Sequence, residues 1–168
     1  PELLALYAKN DAGEVIPQEL VEKINAASKF NQGFMTAELA AASILDMRWH
    51  ELTSVEGIDV DKFEAQVAKE IGLIPQITYR YQSTYFNHIF GGSGYDSGYY
   101  GYLWSEVLDK DAFSIFQSSP NGVWDKELAL KFKKTFLERG GSEEPMVLYH
   151  EFAGRDPQSD AMLKARGL

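Results

Sequence analysis

The chain has 168 residues, 45% of them apolar and 24% charged, with no cysteine and a net charge of −9. That profile fits a soluble globular protein long enough to bury a core. It excludes disulfides and thiolate metal sites, and the acidic balance, with no basic cluster, argues against nucleic acid and anionic membrane as partners. No apolar run is long enough to cross a bilayer and no signal-peptide pattern opens the chain. The lack of cysteine fits a cytoplasmic protein, with the periplasm as the alternative. The opening Pro1-Glu2-Leu3-Leu4-Ala5-Leu6-Tyr7 reads as the tail of a helix already under way, so a fragment of a longer protein is expected.

Helical spacing dominates the rest. Pro17 suits a first helical position, with Val21, Ile24, Ala27 and Phe30 following at three-residue steps. Thr36 can cap a second helix, whose Leu39, Ala42, Leu45, Trp49 and Leu52 share one face. Asp59 can cap a third, with Val60, Phe63, Val67 and Ile71 as its stripe and Gly72 and Pro75 as its end. Residues 74–81 alternate weakly and are rich in β-branched and aromatic types, consistent with a short extended segment. An aromatic helix is expected from about Ser97 to Gln117, then a turn at Ser119-Pro120-Asn121-Gly122. Asp125 opens a helix bearing Leu128, Phe132 and Phe136, closed by Gly140-Gly141. Ser142 can cap the next helix, with Met146, Tyr149 and Phe152, and Asp156-Pro157 can start a last short one. The fold class is therefore all-α, with residues 1–168 expected to form one helical unit.

Two fragments, His50-Glu51 and His150-Glu151, resemble the start of H-E-x-x-H, in which two His four apart on a helix hold zinc and the Glu serves as base. Both lack the second His. With three His in all and no Cys, a complete His-rich site cannot be built, and this chain alone is expected to bind no zinc.

The third His has richer surroundings. His88 precedes the glycine-rich run Gly91-Gly92-Ser93-Gly94, which leads into Tyr95, Tyr99 and Tyr102. Glycines let a chain approach a ligand closely. If the segment from Tyr95 is helical, Tyr95, Tyr99, Tyr102 and Glu106 fall on one face, and three phenols beside an imidazole supply hydrogen-bond donors to a polar ligand. An aromatic stripe at this spacing ordinarily packs a core and a glycine-rich stretch is ordinarily a turn, so the residues by themselves leave both readings open. The loop lacks the G-K-[ST] ending of a phosphate-binding loop.

The run from His88 to Glu106, with Tyr99-Tyr100-Gly101-Tyr102-Leu103-Trp104-Ser105-Glu106 at its heart, resembles the thimet oligopeptidase family of zinc metallopeptidases, which includes neurolysin, oligopeptidase A and bacterial peptidyl-dipeptidase. Phe30-Asn31-Gln32-Gly33, Arg139-Gly140-Gly141-Ser142-Glu143, Phe152-Ala153-Gly154-Arg155-Asp156-Pro157 and the ending Lys164-Ala165-Arg166-Gly167-Leu168 are also similar to that family, in order and spacing. The resemblance implies a helical protein with a deep channel for short peptides. It also implies a zinc held by residues upstream of this region, so that the missing N-terminal portion is the chain's partner. Tyr102 resembles the family's donor to the oxyanion, and His88 the loop His beside the scissile bond. Tyr95, Tyr99 and the loop glycines Gly91, Gly92 and Gly94 resemble its substrate-binding elements. Between His88 and Tyr95 the loop is slightly longer than in mammalian-type members, and Ile89-Phe90 is similar to the bacterial peptidyl-dipeptidase branch. Three functions are compatible with these residues: part of a zinc oligopeptidase, a peptide-binding module without catalysis, and a structural helical domain. The first predicts an exposed apolar patch where the rest of the enzyme docks.

Overall fold

The computed structural model describes residues 2–92 and 94–168, and Ser93 of the glycine-rich loop lies outside them, as does Pro1. The chain is 61% helical, and among the described residues the β-structure is an isolated antiparallel bridge between Lys9 and Val15. The all-α expectation holds. The helices are α1 (Glu2–Tyr7), α2 (Gln18–Ala27), α3 (Gln32–His50), α4 (Val60–Glu70), α5 (Asn87–Phe90), α6 (Gly101–Ser118), α7 (Lys126–Phe132), α8 (Pro145–Ala153) and α9 (Asp160–Arg166). Residues 74–81 form turns and irregular chain, with no strand partner among the described residues.

Short carboxylates start two helices as their chemistry dictates. Asp59 accepts the Lys62 N–H at 3.1 Å and Asp125 accepts the Leu128 N–H at 3.0 Å, each satisfying a donor that has no partner within its helix. Three other starts differ from expectation. α3 begins at Gln32, after Asn31 in the left-handed region at φ 58°, so Thr36 lies inside the helix and its hydroxyl accepts from Arg166 instead. α8 begins at Pro145, whose fixed φ suits a first helical position, and Ser142 stays outside. α9 begins at Asp160, because the residues before it are engaged elsewhere. Arg155 and the Gln158 N–H both bond Asp111, and Asp156 accepts from His150.

Two packing centres result. Around α3, Ala41, Leu45, Val67 and Tyr79 form one buried group, and Ala42, Phe86, Ile89 and Tyr99 another on the adjoining face. Around α6 and α8, Ala112, Tyr149 and Phe152 are buried against Phe116, Phe132 and Phe136. α7 runs on into a π-helical turn, Lys133–Leu137, which keeps Phe132 and Phe136 5.2 Å apart. The C-terminus is tied to both regions. Arg166 of α9 forks onto Glu106 of α6, donating to it from Nε at 3.1 Å and again from Nη2, and it also reaches Thr36 of α3.

Much apolar surface is left uncovered. Phe30 is 76% exposed and Leu137 70%, and in α2 only Val21 of the expected stripe is buried. An apolar groove of about 640 Å³ runs between α6 and α8, with Phe113, Phe116, Phe132, Phe136 and Leu148 on its walls. No helix among the described residues is long and apolar enough to cross a membrane.

Candidate functional site

The site is built from the end of α5, the glycine-rich loop and the start of α6. Gly91 closes α5, its N–H donating to the Asn87 carbonyl at 2.7 Å. A Cβ at Gly91 would lie 2.6 Å from that carbonyl oxygen and 2.3 Å from Asn87 Oδ1, so no other residue fits without displacing Asn87. Gly92 and Gly94 take φ of 73° and 81°, a backbone region side chains resist. The chain then re-enters the fold through Ser97, a non-glycine residue at φ 58°.

The helical reading of the tyrosine segment needs one correction. α6 starts at Gly101, not near Ser97, and Tyr95 and Tyr99 lie in the turns before it. The spacing still brings the rings together. Tyr95 stacks on Tyr102 with centroids 5.3 Å apart and planes 1° from parallel, and Tyr99 meets Tyr102 at 5.0 Å. The His88 ring lies 5.9 Å from Tyr95 and 5.6 Å from Tyr99, both edge-on. Glu106, one turn further, is not part of this group, because Arg166 occupies its carboxylate.

The three phenols differ in environment. Tyr99 is buried at 3% exposure, wedged edge-on to Phe86 at 4.9 Å, and burial raises its pKa above the usual tyrosine value. Tyr102 is 41% exposed. Its pKa is pushed up to about 12, first by its hydrogen bond with the Tyr95 phenol and then by partial desolvation. A phenol so placed keeps its proton at neutral pH and presents a neutral O–H donor.

Sequence reasoning missed three residues here. Tyr81 lies 5.0 Å from His88 and 6.4 Å from Tyr99, closing the ring cluster from a segment expected to be extended. Arg80 sits 5.8 Å from the Tyr81 ring and bonds Glu38 of α3 at 3.3 Å, placing a cation beside the phenols. Asp46 of α3 is wholly buried and grips the backbone of the turn that carries Tyr99. Its signal was present: an acidic residue between Leu45 and Trp49 on an otherwise apolar face.

The histidines do not converge. His50 Nδ1 is 2.9 Å from Asp46, His150 Nε2 is 2.6 Å from Asp156, and His88 is among the tyrosines. Among the described residues no three His, Cys, Asp or Glu side chains come together.

A helical scaffold thus packs an imidazole and three phenols beside a glycine-rich loop. The whole chain, residues 1–168, matches Peptidase family M3, and the protein belongs to that family. It is 44% identical over 172 residues to a dipeptidyl carboxypeptidase of Escherichia coli and 36% identical over 170 residues to oligopeptidase A of Salmonella typhimurium. Each alignment covers 100% of this chain and 25% of the relative. Saccharolysin of Saccharomyces cerevisiae is 30% identical, across 99% of this chain and 23% of its own length. The chain thus spans about a quarter of the length of the curated relatives it matches.

Proposed function

We propose that this chain is the substrate-gripping part of a zinc metallopeptidase that hydrolyses short peptides, working as one helical unit with the upstream portion its relatives possess. The observation that carries this reading is the exposed, proton-retaining Tyr102 stacked on Tyr95 beside His88, in a chain that matches a peptidase family along its whole length. Zinc, held by upstream residues, supplies the activated water when bound. The residues of this chain position the peptide and support charge on the scissile carbonyl oxygen.

Tyr102 is the donor in this scheme. In the free site its ring stacks on that of Tyr95. As the carbonyl oxygen becomes an oxyanion it is a far better acceptor than a neutral phenol, and the Tyr102 O–H turns to it. His88 and Tyr95 hold the peptide on either side. Tyr99, enclosed by Phe86, Tyr81 and His88, backs the other rings and fixes their spacing. The loop of Gly91, Gly92 and Gly94 covers the peptide and excludes water during the reaction. The upstream portion is the partner that covers the exposed apolar side chains and the groove between α6 and α8.

The test is Tyr102→Phe in the full-length enzyme, which removes one hydroxyl and leaves the ring. The expected result is a kcat lower by roughly 10²–10³-fold with a much smaller change in KM, because the bond strengthens only as charge develops. A native kcat would overturn the reading.

A further inference from the structure

Asp46 stands out as a buried carboxylate that no assigned role uses. It is 0% exposed, and both oxygens are occupied from across the fold. Oδ1 accepts the Ser97 N–H at 3.0 Å and Oδ2 accepts the Tyr99 N–H at 2.9 Å. His50, one turn along α3, has Nδ1 2.9 Å from Oδ1 and 2.9 Å from the Asp46 carbonyl oxygen. Two acceptors facing one ring nitrogen place the hydrogen on Nδ1, so His50 donates and fixes the carboxylate plane.

The two amides held by Asp46 flank Gly98 in the turn that delivers the phenols. Ser97 is in the left-handed region, which costs a non-glycine residue free energy and persists only where surrounding contacts hold it. From there the chain continues through closely coupled turns: Gly98 N–H to the Tyr95 carbonyl at 2.8 Å, Gly101 N–H to that of Gly98 at 3.0 Å and Tyr102 N–H to that of Tyr99 at 3.3 Å. Tyr95, Tyr99 and Tyr102 are therefore placed by one stretch of backbone, and that stretch is pinned at its middle.

We infer that Asp46 is the positioning residue of the phenol site. Its carboxylate, oriented by His50, clamps the Ser97 and Tyr99 amides and so sets where Tyr95 and Tyr102 present their hydroxyls. The inference rests on the proposed role of those phenols in peptide hydrolysis. Asp46 touches no substrate and acts through Tyr102.

The experiment is a double-mutant cycle in the full-length enzyme with Asp46→Asn and Tyr102→Phe. Asparagine keeps the shape but turns an NH₂ donor toward one of the two backbone donors, releasing one end of the clamp. A displacement of this kind, near 1 Å, lowers kcat by about 10- to 100-fold. Adding Asp46→Asn to Tyr102→Phe lowers kcat little further, since the hydroxyl being positioned is already gone. Ser97→Gly, which relieves the left-handed strain, recovers part of the loss in the Asp46→Asn enzyme. A native kcat in Asp46→Asn, or losses that multiply in the double variant, would overturn the inference. Tyr102→Phe alone with native kcat would instead overturn the function it rests on, and the two failures are told apart in the same cycle. Should Asp46→Asn not fold, hydrogen exchange of the unaltered protein decides. Ser97 and Tyr99 amides protected as strongly as the interior of α3 support the clamp, and exchange at the rate of the glycine loop contradicts it.

Discussion

Two buried aspartates organise the two ends of this molecule, and they do it by opposite means. Asp111 of α6 is charge-paired. Arg155 forks onto it at 2.6 and 2.9 Å, the Tyr149 phenol and the Gln158 N–H add two more donors, and the Arg155 guanidinium leads in holding its pKa down to about 2. Asp46 of α3 is held by backbone amides and one imidazole. The first arrangement ties side chains of three segments into a fixed knot, whose product is stability. The second ties a carboxylate to the path of a loop, whose product is the placement of other side chains.

Breaking the Asp111 knot gives the largest expected effect. Asp111→Ala leaves Arg155 and Tyr149 without their acceptor and should cost about 3–5 kcal/mol of folding stability, read by denaturant unfolding. A loss below 1 kcal/mol would mean the knot is incidental. The Asp46 clamp should show the reverse profile, a deep loss of kcat with the smaller loss of stability.

Acid sharpens the contrast. The folded-state pKa of Asp111, about 2, lies below the usual carboxylate range. Its stabilisation is fully present above pH 4 and is lost as pH falls towards 2, a contribution on the order of 2 kcal/mol. Unfolding free energy measured across that interval should show the slope, and Asp111→Asn should remove it. An Asp111→Asn protein with the same acid slope as the unaltered one would contradict this assignment.

Gly91→Ala probes the loop with a smaller perturbation. The added methyl meets the Asn87 carbonyl oxygen, which cannot move without opening the end of α5. We expect a stability loss of about 1 kcal/mol, as for modest overpacking, with a rise in KM for peptide. Unchanged KM would remove Gly91 from the substrate loop.

The sequence made the helices and the phenol spacing legible because both are local. Hydrophobic period announced α3, α4 and α7, and Asp59 and Asp125 announced the caps of α4 and α7. Thr36, Ser142 and Asp156 misled for two reasons. Each is a good local cap that a longer-range partner claimed or that a proline displaced, as Arg166 does to Thr36 and Pro145 to Ser142. The same limit hid the role of Asp46. Its partner Ser97 lies 51 residues away, and no periodicity records a pairing of that kind. Tyr99 was legible as a member of the cluster but not as its buried member, because burial there depends on Phe86 and Tyr81 arriving from another segment.

The most direct test removes one phenolic hydroxyl from each region and measures two quantities on both variants of the full-length enzyme. Tyr102→Phe should lower kcat by roughly 10²–10³-fold and leave the denaturation midpoint unchanged. Tyr149→Phe, which deletes a hydrogen bond to a buried carboxylate, should cost about 2 kcal/mol of stability and leave the kcat of the folded enzyme native. A Tyr102→Phe enzyme with native kcat and a lowered midpoint would place that phenol with Tyr149 as packing, and would contradict the site described here.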